Sequence, residues 1–273
     1  MTTLRPRRRG SCLNLSRLFG FGFSLLLSAQ ALAAGPAVLR FATEDWPPFF
    51  SPALPGNGLT GTLLEAVLQR MDATARIDYF PWKRAMQLGL NDHRYAGALA
   101  MFRTAEREKL CYFSTAVGSR QTVLAYLKDQ PVTAARLEDL RGVRIGTVAG
   151  YSNGEAFDAL VRSGVLTVDE GLNNDMNLRK LLHRRFSAVV VEKRMLRYTL
   201  AGSGYTQAER DRIVVADHLF PERSVHVCFQ RTEEGLKRQR AFDEAAREVD
   251  LARIERDYWR TIGQAALLPP PHQ

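Results

Sequence analysis

Between residues 37 and 101, short apolar runs alternate with segments of helical periodicity, and the alternation starts again at residue 143. Residues 37–43 (AVLRFAT) form an apolar run that ends in polar residues, the signature of a buried strand. Residues 63–71 put Leu63, Leu64, Val67, Leu68 and Met71 on one helical face. A second strand follows over 75–80, a second helix over 83–90 and a third strand over 96–101. Strand, helix, strand, helix, strand is the pattern of a parallel sheet covered by helices.

The later part repeats the theme. The spacing predicts a strand over 123–127, a loop and short helix over 131–140, and a strand over 143–148 that runs into the turn Gly150-Tyr151-Ser152-Asn153-Gly154. Helices are expected over 155–161 and 178–183, buried strands over 188–191 and 225–229, and one long helical region over 232–262. The expectation is therefore two α/β lobes joined near 122–130 and again near 215–228. One lobe takes 35–124 and 222–266, the other takes 125–221, and 267–273 forms a proline-rich disordered tail. A chain that crosses twice makes a hinge and a cleft, and ligands bind such sheets outside the carboxyl ends of the strands.

Residues 1–34 stand apart. Arg5, Arg7, Arg8, Arg9 and Arg17 precede an apolar run at 18–27, and Ala31-Leu32-Ala33 supplies a small-x-small site. That order describes a secretory signal peptide cleaved near Ala33 or Ala34 and an exported, periplasmic product. The run is interrupted by Gly20, Gly22 and Ser24, which makes it a poor membrane span. The whole chain carries 38 Lys+Arg against 29 Asp+Glu, but five of the arginines lie in this leader. What remains is 33 against 29, a net charge of +4 with alternating signs, which gives no reason to expect nucleic acid as a partner. Cys12 leaves with the leader; Cys111 and Cys228 remain, and the reading leans toward two unpaired thiols.

Chemistry-bearing motifs are sparse. The reading expects no nucleophile elbow, no phosphate loop of the Gly-x-x-x-x-Gly-Lys type and no His-Glu-x-x-His. His93, His183, His218 and His226 show no metal-ligand spacing, so neither a metal nor another cofactor is expected.

Several segments together resemble one family, the extracytoplasmic solute-binding proteins of polar amino acid uptake. They are Phe41-Ala42-Thr43-Glu44-Asp45-Trp46-Pro47-Pro48-Phe49, Gly58-Leu59-Thr60-Gly61, the stretch 101–114 (MFRTAEREKLCYFS), 137–148 (LEDLRGVRIGTV) and 187–192 (SAVVVE). The resemblance implies the type II periplasmic-binding fold, two α/β lobes on a two-strand hinge. It also implies a monomer that captures a small amino-acid-like ligand by hinge closure, hands it to an ABC permease and is no enzyme. It assigns Arg107 to the ligand's carboxylate, where a guanidinium fork offers parallel donors and stays charged. Glu192 is assigned to the ligand's ammonium, and Gly150, Tyr151 and Ser152 to a turn that helps hold the carboxylate. Glu44, Trp46, Met101 and Phe102 become cleft positions, while Trp82 is expected in the core rather than on ligand. The chain has Phe102 where relatives carry a small hydroxyl residue, Tyr95 in place of an aspartate and Val148 in place of a basic residue, all of which make the cleft less polar. A more distant resemblance to a periplasmic cyclohexadienyl dehydratase makes an enzyme on the same scaffold the alternative, and a ligand-sensing module is a third.

Overall fold

The structure is a computed structural model that describes residues 35–262; the expected leader and tail lie outside the described residues. The first lobe follows the predicted order: β1 (Ala37–Thr43), α1 (Leu59–Gln69), β2 (Ala73–Tyr79), α2 (Trp82–Asn91) and β3 (Gly97–Phe102). β1 lies between β2 and β3 and is parallel to both. α1 begins at Leu59, earlier than the apolar window at 63–71, and buries Leu59, Leu63, Leu64, Val67 and Leu68. Its start is set by backbone geometry: Gly58 sits at φ 92°, and its carbonyl accepts from Thr62 N–H at 2.9 Å.

A one-turn helix, α3 (Ala105–Glu108), leads into β4 (Cys111–Leu127), a strand of 17 residues of which the sequence showed only the last five. Its first half (Ser114, Thr115, Ala116, Gly118, Ser119) has small and polar residues that carry little strand signal. Pairing completes it: the first half runs antiparallel to β9 (Glu222–Gln230), and the second half to β7 (Ala188–Glu192) and β8 (Ile213–Ala216). β4 thus passes from one sheet into the other, with Arg120 opposite Arg223 and Gln121 opposite Glu222 where β9 joins it. This is the two-strand connection expected between the lobes.

In the second sheet β5 (Ile145–Val148) lies between β6 (Val168–Gly171) and β7, parallel to both. Helices α4 (Glu155–Arg162), α5 (Asn174–Leu182), α6 (Lys193–Ala201) and α7 (Gln207–Arg212) complete this part. The sequence reading missed β6 and α7, which are short and mostly polar, and also α6 and β8, although β8 (IVVA) is wholly apolar. The long helical region splits into α8 (Glu233–Ala246) and α9 (Leu251–Thr261), because the Asp250 side chain caps α9 by accepting from Arg253 N–H at 2.9 Å. One apolar cluster joins Phe41, Leu63, Phe229, Phe242 and Trp259 to Leu178, Val189 and Val191 across the crossing strands. A second cluster, around Ile145, Phe157, Leu166 and Phe220, fills the other face of the second sheet.

The expectation of unpaired thiols is corrected. Cys111 and Cys228 form a disulfide with a Cα–Cα separation of 5.6 Å. They stand 117 residues apart in sequence, but β4 and β9 are neighbours, with Cys228 opposite Phe113 and Cys111 opposite Gln230. Strand pairing brings the two within bridging reach.

Candidate functional site

β1 and β3 end at the edge of the first lobe, and the turn after β5 ends the same edge of the second. Together they line a small, tight cavity of about 10 Å³. Glu44, just past β1, and Arg107, on α3, are its charged walls. Trp46, Trp82, Phe102 and Tyr151 are its aromatic ones, and Ala100 and Ser152 complete it. Arg107, Tyr151 and Ser152 also line an adjoining, wider opening of about 350 Å³.

A bulge explains which residues of β3 reach this space. The β3–β9 register shifts between Ala98 and Met101, and Ala100 sits there at φ 58°, in the left-handed region. Ala100 and Phe102 therefore face the cavity. Met101 points into a buried cluster with Ala98, Cys111, Phe113 and Cys228, so its expected cleft position is corrected. Trp82, expected in the core, is buried in that same cluster, and it also lines the cavity from the start of α2.

Arg107 is buried. The Thr104 side chain caps α3 by accepting from Arg107 N–H at 3.2 Å. The guanidinium donates to the carbonyls of Phe102 and Gly150, each at 3.0 Å, and lies 5.8 Å from the Trp82 ring. Burial, with Arg223 adding like-charge repulsion, pushes its ionisation down to about 10, so it stays a cation at neutral pH. The turn that follows β5 meets the first lobe mainly through its carbonyls. Gly150 O accepts from Trp82 Nε1 as well as from Arg107, both at 3.0 Å, and Ser152 O accepts from Arg223 at 2.7 Å. The Tyr151 N–H closes the turn itself by donating to Val148 O. The turn thus fastens the lobes together instead of directing all its N–H groups at a ligand.

The turn does have the Gly-x-Ser-x-Gly spacing of a nucleophile elbow between a strand and a helix, which the motif reading passed over. Its serine is not activated. Ser152 Oγ donates to Asp158 Oδ2 at 2.8 Å and accepts from Arg223 at 3.3 Å, and no histidine bonds to it among the described residues.

Glu44 accepts a hydrogen bond from the Tyr151 hydroxyl across the lobes, and that hydroxyl accepts from Asn174 Nδ2 at 3.2 Å. Burial pushes the Glu44 carboxyl up to about 8, against the smaller opposing effect of the Tyr151 bond. Burial likewise pushes the Tyr151 phenol well above its usual range.

Glu192 is not among the cavity residues. It ends β7, opposite Thr122 on β4, and caps α6: its Oε2 accepts from Met195 N–H at 2.6 Å while its buried Oε1 has no partner. Burial raises its ionisation to about 7, and the strongest opposing influence is the charge of Arg120. Arg120, 1% exposed, donates to Thr60 Oγ1 at 2.6 Å and lies 3.7 Å from the Phe49 ring centre. Nothing in the sequence marked Arg120, a lone cation in a strand of small and polar residues. The structure thus brings Glu44, Trp46, Phe102, Arg107, Tyr151 and Ser152 together, with Gly150 behind Arg107, and leaves Met101 and Glu192 outside. Among the described residues no group of three or more His, Cys, Asp or Glu side chains is arranged to hold a metal ion.

No protein-family model matches the chain, and no curated protein matches it in sequence. Solved structures do. An ancestral arginine-binding protein bound to arginine is similar at a TM-score of 0.68 and 16% identity, over 84% of this chain and 99% of its own. The GluR0 ligand-binding core from Nostoc punctiforme in complex with L-glutamate gives 0.66 and 15%, over 84% and 100%. The ancestral amino acid-binding protein AncCDT-1, a precursor of cyclohexadienyl dehydratase, gives 0.64 and 16%, over 82% and 95%. At these identities the likeness establishes the fold: the chain has the two-lobed α/β fold of periplasmic binding proteins.

Proposed function

We propose that this two-lobed chain captures a small, carboxylate-bearing, amino-acid-like solute between its lobes. The observation that carries the reading is Arg107, a buried guanidinium in the wall of an aromatic-lined cavity whose remaining walls come from both lobes. Burial strengthens its attraction for an anion, and the neighbouring Arg223 adds to the positive potential. A solute that contacts both lobes favours the closed arrangement, because only that arrangement makes both sets of contacts. The leader expected at residues 1–34 supports export, and an exported capture protein of this fold delivers its cargo to a membrane permease. Among the described residues no helix is long and apolar enough to cross a membrane.

The test is a thermal-shift screen of residues 35–273 against amino acids, opines, polyamines and small carboxylates. A ligand well above its Kd raises the unfolding midpoint by mass action. A midpoint that no compound moves removes the capture reading for these classes.

One observation favours a second reading, an enzyme on the same scaffold: a carboxyl that is largely protonated at neutral pH, Glu44, shares the cavity with a carboxylate-binding arginine, as general acid catalysis requires. Turnover of prephenate or arogenate by the purified chain supports it; unchanged substrate after prolonged incubation removes it for those two compounds.

A further inference from the structure

We propose that Glu44, and not Glu192, receives an ammonium group of the solute, and that filling the site expels a proton from Glu44. The preferred solutes are then amines that also carry a carboxylate, not simple carboxylates. The inference rests on the capture reading and deepens it.

The geometry singles out Glu44. Of the two acids that the sequence assigns to the cleft, Glu44 alone lines the cavity with Arg107. Glu192 is occupied elsewhere, with one oxygen on the α6 cap and the carboxylate under the influence of Arg120. Among the described residues the Glu44 carboxyl has a single hydrogen-bond partner, the Tyr151 hydroxyl, so its second oxygen remains free to accept. The Tyr151 hydroxyl is oriented by Asn174, which donates to it and turns its proton toward Glu44. Trp46 and Trp82 line the same space, and indole faces attract cations.

The groups around Glu44 leave it without a counter-charge. Its own segment adds Asp45, whose charge opposes ionisation. The turn after β5 adds the phenol of Tyr151, α5 adds the neutral Asn174, and α2 adds the neutral Trp82. α3 adds Arg107, whose guanidinium bonds to Phe102 O and Gly150 O and not to Glu44. No ion pair to Glu44 occurs among the described residues. A buried carboxyl in that position holds its proton until a cation arrives. An incoming R–NH3+ supplies the cation: the protonated carboxyl ionises, pairs with the ammonium, and one proton leaves to solvent. The sign follows from linkage. Below about pH 8 the empty site holds a proton that the filled site lacks, so affinity rises with pH, by close to tenfold per unit from pH 6 to 7.

The experiment starts with thermal shifts for L-phenylalanine and L-arginine against the amine-free acids 3-phenylpropanoate and glutarate. The amino acids are expected to raise the midpoint and the amine-free acids to leave it unmoved. Calorimetry of the tighter binder at pH 7, in phosphate and in Tris, is expected to show heats that differ by close to one buffer protonation per solute bound. Glu44→Gln is expected to lose that difference, while Glu192→Gln keeps it. Equal heats in the two buffers, or a difference that survives Glu44→Gln, overturns the proposal. Amine-free acids that bind as well as the amino acids overturn it and leave the capture reading standing. A midpoint that none of the four compounds moves counts against both.

Discussion

Arg107 concentrates the argument at the scale of single residues. Its guanidinium is held by two carbonyls and retains further N–H groups for a ligand. Arg107→Ala is expected to cost at least ~2 kcal/mol of solute affinity, and Arg107→Lys to recover only part of it, because a point charge lacks the fork. Titration calorimetry on the solute found by the screen measures both, and near wild-type binding by the alanine variant removes the assignment. Ala100 is the second telling residue. An L-residue at φ 58° is strained, and this one sits at the bulge that turns β3 toward the cavity. Ala100→Gly is expected to be tolerated, whereas Ala100→Val should destabilise the chain by about 1–3 kcal/mol in urea unfolding and weaken binding by filling the cavity.

Among the elements, β4 decides most. It is shared by both sheets, and the disulfide ties its first residue to β9, four residues after Arg107. Reduction, or Cys228→Ser, is expected to lower stability by about 2–4 kcal/mol, because the bridge closes a long loop in the unfolded chain. Urea midpoints with and without dithiothreitol check this. A midpoint indifferent to reductant would show that strand pairing alone holds the α3–β4 junction. Much of this level was legible beforehand. The first three strands and two helices followed from short apolar runs and period-3.6 patterns, which burial imposes directly. The first half of β4, and β6, did not follow, because their strand character comes from the partner strand and not from their own side chains; β8, a four-residue apolar run, was overlooked.

For the whole molecule, buried acids set the pH response. Glu44 and Glu192 have folded-state ionisations raised to about 8 and about 7 by burial. Both hold protons in the folded state that the unfolded chain releases above the ordinary carboxylate range. Their contribution is therefore complete near pH 4 and is lost as pH rises to about 8, at no more than about 1.4 kcal/mol per pH unit for each group. The melting temperature of the ligand-free protein is expected to fall from pH 5 to pH 8, and Glu44→Gln to flatten the upper part of that fall. A melting temperature constant across that range would mean that neither acid is protonated in the folded protein.

The candidate site divides along the same line. Arg107, Glu44, Trp46, Phe102 and the Gly150–Ser152 turn were named through a family resemblance carried by local motifs, each at a strand end or helix start. The succession of strands and helices along the chain was accessible because apolar patterning is written into the chain and needs no partner to be read. Tertiary packing decided the rest. It drew Cys111 to Cys228 across 117 residues, rotated Met101 out of the cavity and Ala100 into it through a bulge, let the buried Trp82 also form a cavity wall, and set Glu192 on a helix cap near Arg120. Each outcome depends on which distant strand or helix lies alongside, and a buried charge or cysteine takes its role from that neighbour and not from the residues beside it in the chain.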